Sequence, residues 1–255
     1  MKKVRILSLV LALGMMMVMG SAGLAEGGER IKRGVLDIAG AEEIVERLYP
    51  GQYEVLAFPT MNEALAALKS GRVEVIQVSE IYGLILAESD DSLEYKRQDI
   101  PPASLTMLTR GRDGDLTTSL NGAIEELKES GRLDALYAQY VEGFSLDATP
   151  ESPELEQLAD AKTYVVGVSG DYPPFDYVSI DGNAAGYNVA LMSEIAKLAG
   201  FNVKFNAVAF GSKFAALESE RIDLFFLHGG LTNFEGITQT STYIENVYMG
   251  ELTRK

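Results

Sequence analysis

Beyond the first 25 residues, short apolar runs rich in β-branched side chains alternate with stretches whose apolar positions return every three or four residues. GVLDIAG, AEEIVERL, YEVLAF, MNEALAALKSG and RVEVIQV follow one another in this way. Such alternation predicts βαβ units and a mainly parallel sheet. Thr60 and Glu63 form a Thr-x-x-Glu capping box ahead of Ala64, Leu65 and Leu68, and Gly71 closes that helix. A strand-like SLTMLT then leads into two helices. Leu120, Ala123, Ile124 and Leu127 share one face of the first and Leu133, Leu136, Tyr137 and Tyr140 one face of the second, with Gly131 between them. The stretch FSLDATPESPELEQLADAK, with two prolines and many acids, breaks the pattern and predicts a surface linker over 146–161. After it come a strand (TYVVGVS), a helix ended by Gly200, a strand (FNVKFNAVAF), a short helix capped by Ser212, a buried strand (RIDLFFL) and a last strand (VYMGELT). The two halves are not copies of one unit.

The first 25 residues carry Lys2, Lys3 and Arg5, then the uncharged run ILSLVLALGMMMVMG, then SAGLA. This predicts a signal peptide over 1–25 and an extracytoplasmic, periplasmic or secreted protein. The alternative is a membrane anchor, for which the run is short against the roughly 20 residues of a span. A chain that is 47% hydrophobic and 23% charged is of ordinary globular composition. The net charge of -15 becomes three units more negative once the cationic segment is lost, which argues against a nucleic-acid partner. With no cysteine there is no disulfide, no thiolate metal site and no lipid attached through a cysteine.

Catalytic patterns are weak. His228 is the sole histidine, and LHGG superficially resembles a lipase oxyanion-hole motif, but there is no Gly-x-Ser-x-Gly elbow. ESDDS and RDGD lack the spacing of a calcium loop, and no glycine-rich loop has the spacing that cradles phosphate. No metal, cofactor or catalytic residue is expected.

In YVVGVSGDYPPFDYV, GYNVALMSEIAKLAG, FGSKFAALESERIDLFF, GGLT and YIENVYMGELTRK the later half resembles the first lobe of the bacterial periplasmic solute-binding proteins of family 3, which serve polar amino-acid ABC importers. The earlier half resembles the family's second lobe in GVLDIAGAEEIVERL and MNEALAALKSGRVEVIQVSEIYGLILAE, and the return to the first lobe in ASLTMLTRGRDGDLTTSLNGAIEELKESGRLDALYAQY. The resemblance implies a two-lobed α/β Venus-flytrap fold. Residues 31–98 would be lobe 2, 103–145 the C-terminal part of lobe 1, and 162–255 its N-terminal part. Written with the later half first, the elements fall into the family's order, so a circular permutation is expected, with its new ends in the hinge and Lys255 near Ile31. The linker would span about 20–25 Å as a flexible coil. A truncated tandem array is one alternative. Another is a dimer whose chains exchange lobes, because cutting one crossover leaves a single connection near Arg97 to Ser104.

By the same resemblance a small polar ligand, an amino acid or a relative of one, sits between the lobes. Tyr172 and Phe210 would flank its apolar part, and Ser169 would offer a hydrogen bond. Gly230 and Thr232 match the Gly-x-Thr turn that holds a carboxylate, a match that places His228 within a two-residue insertion after Asp223. Two departures stand out. The family's carboxylate-clamping arginine falls at Gly236, with no arginine between Arg221 and Arg254, and its ammonium-binding aspartate falls at Ser79, with Glu80 the nearest acid. GAE (Gly40, Ala41, Glu42) stands where the second lobe has its anion turn. These losses put an ordinary free amino acid in doubt and favour a less charged or cationic molecule. The implied partner is an ABC permease. The alternatives are a sensory or interaction module without import and, more distantly, a dehydratase-like enzyme.

Overall fold

The alternation resolves into two separate sheets. The computed structural model describes residues 29–37, 41–145, 152–229 and 235–255. The first lobe-forming run is β1 (Ile31–Leu36), α1 (Ala41–Leu48), β2 (Tyr53–Phe58), α2 (Met61–Lys69), β3 (Val75–Ser79), α3 (Glu80–Ser89) and β4 (Leu93–Arg97). It continues through β5 (Ala103–Arg110), α4 (Gly114–Glu129) and α5 (Arg132–Tyr137), the last extended by a wider turn over Ala138–Glu142. After the linker come β6 (Thr163–Val168), β7 (Asp171–Tyr172), β8 (Asp176–Val178), β9 (Ala184–Ala185), α6 (Tyr187–Ala199) and β10 (Asn202–Ala207). A short 3-10 turn, Phe210–Ser212, precedes α7 (Lys213–Glu218), β11 (Leu224–Gly229), β12 (Ile237–Gln239), β13 (Ile244–Val247) and β14 (Met249–Arg254).

One sheet has the order β2-β1-β3-β14-β4 and the other β10-β6-β11-β5-β12, with β13 also on β5. The sheets are mixed rather than mainly parallel: β1, β2 and β3 run parallel, as do β6, β10 and β11, but β14 and β5 run against their neighbours. The reason lies in the crossings. Val78, Gly250 and Arg97 stand level across β3, β14 and β4, so β4 leaves its sheet at the carboxyl end of β3. A chain that enters the other lobe from that end must run opposite to its parallel strands. Gln98 N donates to Met249 O at 3.0 Å, so the crossings out of β4 and into β14 lie side by side. The single connection expected near Arg97 to Ser104 is therefore one of two.

Each lobe has its own core. Met61, Ala64, Leu68, Ile76, Val78 and Leu252 close lobe 2; Met107, Leu120, Ile124, Val166, Leu191 and Phe226 are among those closing lobe 1. Thr60 caps α2 as its sequence predicts, its hydroxyl accepting from Glu63 N at 3.2 Å. Ser212 makes no such side-chain bond at α7, since the preceding 3-10 turn already holds it in helical backbone. The described part of the linker is not a free coil. Leu155 packs on the lobe 1 core, and Leu158 exchanges bonds with Asn202, its N–H donating to Oδ1 at 2.8 Å and its carbonyl accepting from Nδ2 at 2.9 Å.

The last strand corrects two expectations. β14 lies in the sheet of lobe 2, between β3 and β4, and not with the rest of 162–255. Lys255 consequently stands just past the end of β14, an inner strand of that sheet, its N–H on Ser92 O at 2.9 Å, and not in the hinge. Arg33 of β1, Val75 of β3 and Thr253 of β14 share one level, which puts the start of β1 and the end of β14 about 10 Å apart. A fully buried Arg33 ties these strands together. Its guanidinium lies between the rings of Tyr49 and Tyr53, and Nη1 donates to Glu251 Oε1 at 2.6 Å, which also accepts from the Tyr53 hydroxyl at 2.7 Å.

Candidate functional site

The carboxyl ends of both parallel sets face the junction between the lobes, where α/β sheets commonly place ligands. From lobe 1, β7 sends Tyr172 across it. The Tyr172 hydroxyl accepts from Ser79 N and donates to Ser79 Oγ, both at 3.0 Å. Its ring packs on Tyr82 with centroids 4.7 Å apart and on Phe175 at 6.0 Å. Ser79 is buried at the end of β3, where the chain turns into α3. Burial raises the Tyr172 hydroxyl above the ordinary tyrosine value, and its two bonds with Ser79 pull the other way.

Asp171, next to it, reaches the first turn of α2 in lobe 2, where Oδ2 accepts from Asn62 N at 3.0 Å. Burial raises its carboxyl, opposed by the N–H groups of Asn62 and Met61. A carboxylate there also suits the positive end of the helix. Further along the junction a Cβ on Gly211 would stand 3.0 Å from Asp37 Cβ and 3.1 Å from its Oδ2. A side chain there would push Asp37 back by a few tenths of an ångström.

Phe210 lies half-buried beside this contact, edge-on to Phe225 at 5.9 Å, with the Lys213 ammonium 3.5 Å from its centroid. Ser169 Oγ donates to Asp176 Oδ1 at 2.5 Å, and the same oxygen accepts from Gly170 N at 2.9 Å. Asp176 Oδ2 accepts from Asn188 Nδ2 at 2.7 Å, so Ser169 belongs to a network that fixes the YPPF turn. Glu80 points to the hinge, 3.7 Å from Arg97, whose guanidinium lies over Tyr248. Ser79 and Glu80 thus face different neighbours, as adjacent residues at a strand end commonly do.

The structure brings Tyr172, Ser79 and Phe210 to the junction, with Ser169 behind and Glu80 at its hinge side. Gly230 and Thr232 lie outside the described residues, as do Gly40 and the His228 side chain. Ala41 and Glu42 open α1. Where the insertion falls, β11 slips against β5, with Phe225 opposite Leu108 and His228 opposite Thr106. Leu227, between them, has φ of 61°, the left-handed backbone of a bulge. Gly236 also has positive φ, 77°, in the turn before β12, a conformation an arginine would strain.

Tyr82, Asp171, Asp37 and Lys213 were not singled out from the sequence. Tyr82 sits three residues after Ser79, one helical turn on, and Asp171 adjoins Tyr172, which are the signals that could have found them. Among the described residues no group of three or more histidines or acids could hold a metal. Among them also, no helix is long and apolar enough to cross a membrane.

Two lobes of mixed sheet meeting at an aromatic and polar junction make up a two-lobed α/β fold of the Venus-flytrap type. Residues 164–232 match the family described as bacterial extracellular solute-binding proteins, family 3. Over that segment the chain is similar to the family 3 solute-binding proteins. The L-cystine-binding protein TcyJ of Escherichia coli K12 is 30% identical over 84 residues, 33% of this chain and 32% of that protein. The arginine-binding extracellular protein ArtP of Bacillus subtilis is 38% identical over 63 residues, 25% of this chain and 24% of ArtP. The alignments thus take in about a third or less of the curated relatives. Among solved structures, a ligand-binding component of an ABC-type import system from Staphylococcus aureus matches with a TM-score of 0.48 and 11% identity, covering 89% of this chain and 66% of that one.

Proposed function

We propose that this protein captures a small polar molecule, an amino acid or a related compound, between its two lobes outside the cytoplasmic membrane and delivers it to an ABC importer. The observation that carries the reading is the junction itself: Tyr172 of lobe 1 bonded to Ser79 of lobe 2, with Phe210 alongside, within and opposite the family 3 segment. Tyr172 and Phe210 would flank the ligand, Ser79 would meet it from lobe 2, and Gly230 and Thr232 would supply the carboxylate turn. Ser169 and Glu80 would support the site through Asp176 and Arg97. A ligand bridging the lobes favours the closed form by its greater affinity for that form, and the closed form is what a permease would recognise.

The strand order supports a circular permutation as the route to this fold, since β1 and β14 flank β3.

Thermal unfolding against amino acids, amines and small organic acids tests the function. A ligand that binds only the folded chain raises its melting temperature, by about 2.7 kcal/mol of stability at a hundredfold excess over Kd. No shift with any compound would overturn the solute-binding reading.

A further inference from the structure

Three cationic side chains are deeply buried in the described residues, and two are paired. Arg33 has Glu251 at 2.6 Å, and Arg110 has Asp113 at 2.7 Å and Asp223 at 2.6 Å. The third, Lys213, is 1% exposed and forms no ion pair with any described carboxylate. Its Nζ donates to Phe210 O at 3.2 Å and lies 3.5 Å and 5.1 Å from the ring centroids of Phe210 and Phe214. One hydrogen bond leaves two of its three donors unaccounted for among the described residues.

Removing a charge from water without a partner is costly, and such groups are normally paired or bound to something. Lys213 stands where a partner could arrive from outside. It begins α7 directly after the turn that carries Phe210, and Gly211 of that turn touches Asp37 of lobe 2. Among the described residues Asp37 is the one charge that acts on its ammonium, and it stays beyond ion-pair distance. Parting the lobes between Gly211 and Asp37 would open the junction beside the turn that carries Phe210 and leads into Lys213.

We infer that Lys213 is the cationic anchor for an anionic group, a carboxylate or its equivalent, on the captured solute. The inference rests on the solute-binding reading and replaces the clamp that Gly236 cannot provide with a cation on another element. The bound class then becomes small molecules with an anionic group, not the neutral or cationic ones that the loss of the arginine suggests. Burial holds the unliganded Lys213 down to about 7, with Asp37 the one titratable group among the described residues that acts on it, and the rings of Phe210 and Phe214 pack close to its ammonium. An anion beside the ammonium raises it again, so binding near neutral pH takes up a proton.

The test is thermal unfolding of the full chain and of Lys213→Met with amino acids, small carboxylic acids and the amide of each. The expected result is a shift of several degrees for an acid, none for its amide, and at least a tenfold loss of affinity in the variant. Calorimetry of the active acid in buffers of different ionisation heat should show proton uptake in the wild type near pH 7 to 8 and none in the variant. An amide that shifts the wild type as far as its acid overturns the inference and leaves solute binding standing, and this comparison holds even if the variant does not fold. Equal shifts in both proteins, or proton uptake unchanged in Lys213→Met, overturn it as well. No shift with any compound overturns both.

Discussion

Tyr172 joins the lobes through one hydroxyl that both accepts from and donates to Ser79. Tyr172→Phe keeps the ring against Tyr82 and removes both bonds, leaving the buried Ser79 N–H without its acceptor. The closed form should lose about 1–3 kcal/mol, read as a roughly tenfold weaker ligand affinity by calorimetry and as a larger radius of gyration in solution scattering. Lys213 gives a second prediction at this scale. Its folded value near 7 lies below the ordinary lysine value, so between about pH 7 and about pH 10 the unfolded chain binds a proton that the folded chain does not. Stability should therefore rise with pH through that window, while below about 7 the burial penalty is complete. Urea unfolding at about pH 6 and about pH 9.5 should show this rise in the wild type, on the order of a few kcal/mol, and not in Lys213→Met. Tyr172 was legible because an aromatic after GD and before PPF follows a strand end. Lys213 was not, because in SKFAALESE a lysine at the first helical position reads as a solvated charge, and only the packing of Phe210 and Phe214 buries it.

Strand β14 is held by more than its ladder. Glu251 neutralises Arg33 and accepts from the Tyr53 hydroxyl and from Gln98 Nε2, so one carboxylate joins β1, β2, β14 and the crossing after β4. Glu251→Gln leaves an uncompensated buried guanidinium and should cost about 3–5 kcal/mol, measured by chemical denaturation. The double change with Arg33→Met should cost clearly less than the sum of the single changes, since it removes the orphaned charge as well. Alternation of apolar and polar positions made β14 readable as a strand, as it did β1 to β3, β5, β6, β10 and β11. It could not say which sheet takes it, because period 2 fixes a face and not a neighbour. The strand pairs β7–β8 and β8–β9 are two or three residues long, too short for any period to register. β4 was missed because LEYKR shows only one fully buried residue, Leu93. The Thr60 half of the capping box of α2 was legible because its partner, the Glu63 N–H, is local, whereas Ser212 lost its capping role to the 3-10 turn before it.

At the scale of the whole molecule, what the sequence makes readable is an order of elements, and what the structure adds is where that order can be cut. β1 and β14 flank β3, two strand spacings or about 10 Å apart at the level of Val75, a gap that about three or four residues cross. On the other side, residues 152–162 are fastened to lobe 1 through Leu155, Leu158 and Ser152, whose hydroxyl donates to Ala184 O at 2.8 Å. The described part of the linker therefore does not tether the halves loosely, which leaves its acidic stretch over 146–151, outside the described residues, as the place to open the chain. Joining Lys255 to Glu29 through a short Gly/Ser segment and opening the chain between 146 and 151 should give a protein with the same far-UV circular dichroism. Its melting temperature should lie within a few degrees of the parent, because loop-closure entropy changes only slowly with loop length, and it should answer to the same ligands. A rejoined chain that folds only as a dimer, or that loses the ligand response while keeping its secondary structure, would show that the order of translation is part of how the two lobes find each other and that the adjacency of the ends is not enough.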